Sequence, residues 1–405
     1  MSMADQKPTQ SFNLGMLIYD TRYRAMTIQV VALILFMLGA AWLVNNAAQN
    51  LAALGKPLSF DFLSQPAGYD INQKLIEYTS QDSHGRAALV GLLNTLLVAF
   101  LGCVLATFLG VIIGVLRLSK NWLISRLMTV YIESFRNVPV LLWIVFAMAI
   151  FIESFPAPRA FRGDNATASM VLNDSVAFTN RGVYIPKLVF DNGSMIVVLV
   201  FLASLVGIWL FGRWSRKRQE ATGEILPNFW IKLGIFFVPA IAAQLVMGSP
   251  ISLAYPELKG FNFTGGLHLR NSLIALWLAL SLYTAAFIAE AVRAGIMAIS
   301  KGQTEAAAAL GLRSNRIMQL VILPQALRVI IPPLISQYLN LTKNSSLAIA
   351  VGYMDITGTL GGITLNQTGR EMESVMLLML IYLAISLAIS TVMNIYNNSV
   401  SLKER

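Results

Sequence analysis

Lys301 to Arg328 reads KGQTEAAAALGLRSNRIMQLVILPQALR, and this stretch decides how the rest of the chain is read. Thr304 to Leu312 is rich in Ala and Leu, which favour helix, and Gly311 is suited to ending it. Glu305 is expected in the first turn, where the helix dipole favours a carboxylate. A helix of this length is too short to cross a bilayer. Its small side chains suit it to lying in a groove on another protein.

Working outward, the segment is flanked on both sides by apolar runs long enough to cross a membrane. Eight such runs are expected, at about 26–45, 89–116, 138–152, 194–212, 229–248, 271–292, 328–350 and 375–395. The third is short and is expected to start earlier, near Val130. In lipid the backbone must satisfy its own hydrogen bonds, so each run is a helix. Composition agrees. The 405 residues are 56% hydrophobic and 12% charged, against about 25% charged in soluble domains. A surface so poor in charge cannot be covered in water.

The net charge of +10 reflects topology rather than nucleic-acid binding. With the N-terminus placed in the cytoplasm, 18 Lys and Arg fall inside, from Lys7 at one end to Lys403 and Arg405 at the other, and 10 fall outside. The excess of inside cations puts both termini on the cytoplasmic side. The tetrad Arg213, Arg216, Lys217 and Arg218 is read mainly as a topology determinant, with lipid head groups as its possible partners. The long outside segments are 46–88 and 153–193. The triplet Asn165-Ala166-Thr167 is a formal glycosylation acceptor but carries no weight. Cys103 has no intrachain partner, and His84 and His268 lack the clustering of a metal site. Gly102, Gly110 and Gly114 form a small-residue face for close helix packing. Pro332 and Pro333 are expected to open span seven, and Pro239 to interrupt span five.

Ionisable residues inside spans are costly and mark candidate sites. Glu290 can pair with Arg293, three residues on, and Glu133 with Arg136 in the same way. Lys343 can pair with an acid on another span or with a substrate carboxylate. Tyr283, Thr284 and Glu290 of span six, with Lys343, Asn344 and Ser345 of span seven, form a candidate substrate path. Trp42, Trp122, Trp143 and Trp277 are read as interface or lipid-facing residues.

The 301–328 segment resembles the EAA loop of ABC importer permeases. Glu305, Ala306 and Ala307 are followed by Gly311, and then by Val321, Leu323 and Pro324, with Val where the motif usually has Ile. GQTEAAAALG, LPQAL and LTKNSSLA resemble the polar amino-acid branch, as does LVGLLNTLL…YIESFRNVPVLL. The resemblance covers about 86–152 and 271–395. The first span, the loop 153–193 and spans four and five resemble the enlarged permeases of general L-amino-acid importers. YDTRYR and NWLISRLMTVYIESFRNVP resemble their Q-type subunit.

The resemblance implies an all-α polytopic membrane protein of about eight transmembrane helices, with a type I importer permease core and a cytoplasmic coupling helix. Residues 1–85 would be a tail, an extra span and a periplasmic loop. Residues 86–395 would be the permease, carrying an insertion at about 153–248, and 396–405 a cytoplasmic tail. It further implies a bacterial inner-membrane subunit forming the translocation path for amino acids. Its partners would be an ATPase dimer, a second homologous permease, most simply as a heterodimer, and a periplasmic amino-acid-binding protein. Gly302, Glu305, Ala306, Ala307, Gly311, Leu323 and Pro324 would couple to the ATPase. No GxxxxGK phosphate loop is present, so ATP and Mg would bind the partner, and this chain would hold no cofactor. The rival reading is an ion-coupled secondary transporter, which calls for inverted repeats and helices broken at the midplane. The sequence shows neither.

Overall fold

The computed structural model describes residues 20–163, 166–224 and 226–400. Lys7, Tyr19 of the YDTRYR stretch, Asn165, Lys403 and Arg405 therefore lie outside the described residues. In chain order the helices are α1 (Thr21–Ala53), α2 (His84–Arg117), α3 (Trp122–Asn137), α4 (Val140–Ser154), α5 (Ser194–Thr222) and α6 (Asn228–Val246). They continue with α7 (Asn271–Met297), α8 (Lys301–Ala309), α9 (Ser314–Ile317), α10 (Leu323–Asn344), α11 (Leu365–Thr368) and α12 (Glu371–Val400). Among the described residues, eight helical segments are long and apolar enough to cross a membrane, and they coincide with the eight runs expected from sequence.

The third span does not start near Val130. That stretch belongs to α3, a separate helix with Ile132 buried. Val138 is extended, at φ −112° and ψ 133°, and Pro139 precedes α4. The proline ring disfavours helical backbone in the residue before it, which breaks the two helices apart. Pro332 and Pro333 do not open span seven either. They lie inside α10, which begins at Leu323. Ile330 and Ile331 beside them are buried, and packing holds the helix through the missing N–H groups. Pro239 likewise lies within a continuous α6.

Not everything is helical. Among the described residues, seven short strands lie between the spans: β1 (Ala177–Thr179), β2 (Gly182–Ile185), β3 (Lys187–Phe190), β4 (Ile251–Ala254), β5 (Glu257–Lys259), β6 (Asn262–Thr264) and β7 (Leu267–Arg270). All pairings are antiparallel. β2 lies between β1 and β7, β3 pairs with β4, and β5 with β6. β2–β7 and β3–β4 join the segment before α5 to the segment after α6. Strand pairing across α5 and α6 thus extends to Arg270. His268 stacks flat on Tyr184 with ring centroids 4.1 Å apart. Burial holds its imidazole below the usual range.

The core is the contact between α2 and α7, with α4 and α10 packed beside them. Val98, Ala106, Leu276, Leu280, Ile288 and Leu341 are among its buried members. Cys103 packs against the same cluster, as expected for a small apolar residue. The glycine face of α2 sets the closeness. A Cβ on Gly110 would sit 2.6 Å from Ile288 Cβ, and one on Gly114 2.7 Å from the Ala289 carbonyl oxygen. Gly102 turns to α10, where a Cβ would lie 3.0 Å from Leu341 Cδ2. Apolar side chains gain little over lipid tails by packing together in a bilayer. Close backbone approach, with its dispersion contacts, is what favours the pair.

Charge pins one end of this pair. Glu290 of α7 accepts from Arg293 Nε at 3.2 Å and Nη2 at 2.6 Å, and its other oxygen accepts from Arg117 at the end of α2. Sequence reading paired Glu290 with Arg293 alone. The second arginine becomes visible only when α2 lies along α7. The expected Glu133–Arg136 pair does not form. Arg136 lies over the Phe287 ring at 5.4 Å, and Glu133 accepts from Asn137 Nδ2 at 3.2 Å. Trp143 and Trp277 also depart from their lipid-facing reading: Trp143 stacks on Phe135 at 4.2 Å, and the indole N–H of each is buried.

The packing can be tested at two points. Gly110→Leu should overpack the α2–α7 contact at a cost of about 1–3 kcal/mol and lower the melting temperature of the detergent-purified protein. Gly234→Leu should change little, because nothing in the chain lies within 4 Å of a Cβ there. Equal melting temperatures for the two variants would refute the close-approach account. In a double-mutant cycle of Arg117→Ala and Glu290→Ala, the stability losses should be non-additive by about 0.5–3 kcal/mol. Strict additivity would mean that the pair contributes nothing.

Candidate functional site

Residues 301–328 fold as a bracket at the end of α7. Helix α8 begins at Lys301, three residues earlier than expected, so Glu305 is its fifth residue and does not sit in the first turn. The helix dipole therefore has no special hold on Glu305. Gly311 ends the helix at φ +78°, a left-handed conformation that a side chain resists. Its N–H donates to the Ala308 carbonyl at 2.9 Å, and that of Leu312 to Ala307 at 3.3 Å.

The two alanines of the motif part company. Ala307 is 6% exposed and packs into its own chain. Ala306 is exposed, as are Gly302, Glu305 and Ala309, and Leu310 is 82% exposed. A Cβ on Gly302 would meet nothing. The outer face of α8 is thus open and made mostly of small side chains, with Glu305 as a charge and one large apolar side chain at its end. Its inner face rests on the next turns of the chain. Ile317 of α9 is buried, Met318–Ile322 form a π-helical turn, and α10 starts at Leu323 with Pro324 next. The wide turn fits the missing N–H of Pro324, which an α-helical register would require as a donor. A side-chain hydrogen bond from Gln325 to Gln303 ties α8 to α10. The hydrogen bond joins α8 to a spanning helix.

The candidate substrate residues do not converge. Tyr283 is half-buried against Phe287, with ring centroids 5.0 Å apart, and Thr284 is buried. Glu290 is engaged at the Arg117 end of α2. Leu341 of α10, beside Lys343, lies against Gly102, fifteen residues from Arg117 and so about 22 Å along the helix axis at 1.5 Å per residue. Lys343 is exposed on the surface of the chain, with no ion pair among the described residues. α7 and α10 thus present Glu290 and Lys343, two members of the candidate path, at different levels. Asn344 is half-buried. Ser345 is buried and donates to the Thr342 carbonyl at 2.8 Å.

Sequence reading passed over Asp355, which the fold buries completely. After α10 a 3-10 helix, Ser345–Val351, ends at Gly352, with φ +68°, and the chain re-enters the bundle. Asp355 accepts from the Gly358 N–H at 2.8 Å and from Tyr382 Oη at 3.3 Å. The Ile356 N–H donates to Thr95 Oγ1 at 3.0 Å, and Asn94 Nδ2 to the Met354 carbonyl at 2.8 Å. Thr95 is eleven residues into α2, about 16 Å along it. Non-helical backbone at such depth is tolerated where protein groups satisfy it, as here. A single acid inside the apolar run VGYMDITGTLGG was the available signal. Among the described residues no group of three or more His, Cys, Asp or Glu could hold a metal ion.

Residues 106–403 match the family described as "binding-protein-dependent transport system inner membrane component". The chain is 55% identical, over the full length of both proteins, to the glutamate/glutamine/aspartate/asparagine transport system permease protein BztB of Rhodobacter capsulatus. It is 43% identical to the general L-amino acid transport system permease protein AapQ of Rhizobium johnstonii, over 96% of this chain and 94% of that one. A crystal structure of an amino acid ABC transporter with histidines aligns at 19% identity and TM-score 0.44, covering 78% of this chain and 95% of the other. The chain belongs to the inner-membrane permeases of binding-protein-dependent ABC transport systems, multi-pass transport subunits whose work requires a separate ATPase and a substrate-binding protein.

Proposed function

We propose that this chain is one of two permease subunits lining the path of an ATP-driven amino-acid importer, and that α8 is its coupling helix. The observation that carries the coupling role is the open, small-residue face of α8 on a helix tied to α10 through Gln303 and Gln325. Such a face docks by backbone proximity, and the bracket passes on a rigid-body displacement without unfolding. ATP and Mg act on the partner ATPase. Closure of that ATPase and docking of a loaded binding protein shift this chain only as far as each binds one conformation better than the other. Amino acids as substrates rest on BztB and AapQ, whose names specify them. Ion-coupled transport would leave α8 without a task.

The orientation that fits this reading has both termini and α8 on the cytoplasmic side, with the strands and the 54–83 segment outside. Lys343, exposed on α10, is then available to the transport path or to a second, homologous permease subunit. The basic tetrad lies at the inner surface, where the Arg213 guanidinium sits 3.9 Å from the Trp209 ring centre and Arg218 pairs with Glu224 at 2.8 Å.

Ala306 and Ala307 separate docking from folding. Ala306→Trp should leave the permease folded, because that position is open, yet detach the ATPase or abolish its stimulation by loaded binding protein. Uptake of L-glutamine by vesicles holding the full transporter should fall at least tenfold. Ala307→Trp should also lower the melting temperature, at a cost of about 1–3 kcal/mol from overpacking. Wild-type uptake in Ala306→Trp would remove α8 from the mechanism. For orientation, single cysteines at Ser175 and Phe261 should react with an impermeant thiol reagent added outside intact cells, and one at Leu310 should not. Outside labelling at Leu310 would invert the topology.

A further inference from the structure

Between the β1–β2–β7 sheet and the start of α7 lies a cleft of about 400 Å³. That volume is in the range of small-molecule sites, about 300–1,000 Å³. Met148, Ile152 and Val351 supply its apolar wall, and Asn180, Arg181, Arg270 and Asn271 are among its polar lining residues. Asn271 is only 3% exposed. Its Nδ2 donates to the Asn180 carbonyl at 2.7 Å, which fixes the amide, while its Oδ1 has no hydrogen-bond partner. Asn180 Oδ1 and Arg270 Nε are buried and unpartnered as well. Three of the seven such orphans among the described residues thus line one cleft. Each would cost about 1–3 kcal/mol if left unsatisfied, so their clustering marks a place where something else completes them.

The orphans have opposite polarity. Two are carbonyl oxygens that accept, and one is a guanidinium N–H that donates and carries charge. Arg181 adds a second cation. Neither arginine has an ion-pair partner among the described residues, and no Asp or Glu lines the cleft. The walls are built rather than incidental. β7 holds Arg270 opposite Gly182 of β2, and His268 Nε2 donates to the Arg181 carbonyl at 3.1 Å.

We propose that this cleft is a vestibule subsite for the head group of an amino acid, selective for those with an acidic side chain. The ammonium group donates to Asn180 Oδ1 and Asn271 Oδ1. The α-carboxylate accepts from Arg270 Nε, and the side-chain carboxylate meets Arg181. A cationic amino acid would bring a third positive charge to a site with no acid. This inference rests on amino-acid uptake as the function. A carboxylate side chain from a docked binding protein is the competing occupant, but it would satisfy the arginines and leave both asparagine oxygens bare.

The test uses the complete transporter with its ATPase, purified without binding protein, and equilibrium binding of radiolabelled L-glutamate and L-lysine. Wild type should show a glutamate-binding step at least tenfold tighter than any for lysine. Arg270→Gln and Arg181→Gln should each weaken that step at least tenfold. Arg181 is exposed, so its variant should assemble even where Arg270→Gln does not. No glutamate step in wild type, or an unchanged step in both variants, overturns the proposal. Unchanged glutamate binding with weakened docking of unloaded binding protein would assign the cleft to that partner. No change in either would leave it to water, and both results reject the subsite. ATP-driven uptake of L-glutamine by wild-type vesicles is measured alongside. Its absence would overturn the amino-acid reading itself, whereas its presence with unaltered variants would overturn the subsite alone.

Discussion

The close approach of α2 and α7 is the constraint on which the rest of the structure depends. Gly110 and Gly114 let the backbone of one helix meet Ile288 and Ala289 of the other without an intervening side chain. In lipid this contact must supply through packing what water exclusion supplies in a soluble core. With the two axes fixed, Arg117 reaches Glu290, and α10 closes over Gly102 through Leu341. Because α7 leads into α8 and α10 carries the other side of the bracket, the same contact positions the exposed helix relative to the bundle.

Polar groups are sorted by end. Near α8, Glu290 is shared between two arginines. Near the strands, polar groups are hydrogen-bonded in one place, Asn94 Oδ1 excepted, and left open in another. Asp355 and its neighbours satisfy a re-entrant segment at depth in the bundle. Asn180, Arg270 and Asn271 line a cleft and each carries a buried polar atom without a partner. A fully paired network stiffens a fold, whereas an unpaired one holds binding capacity in reserve.

Helices α1, α5 and α6 are a different kind of element. α5 and α6 pack on each other, and α1 exposes its apolar side chains along its length. These helices form because their residues are apolar and long enough to span, with little packing against the core. The strands from 177 to 270 anchor α5 and α6 to the permease instead, and in doing so build the wall of the cleft.

By itself the sequence determined the eight spans, the short exposed helix with its glycine stop, and the glycine face. Each is a local property: hydrophobic length, helix propensity, and the absence of a side chain. The 301–328 motif further tied the chain to its family. Tertiary structure decided which of the side chains meet. It turned Ala307 inward and Ala306 outward, because α9 and the π-helical turn return beneath α8. It set Glu290 and Lys343, two members of the candidate path, at different levels of the bundle. It buried Asp355, whose depth no linear pattern reveals. It also joined Arg270, at the end of β7, to Asn180 and Arg181 about ninety residues earlier. Such pairings depend on helix rotation, depth and strand register, and these are fixed by contacts between segments far apart in the chain.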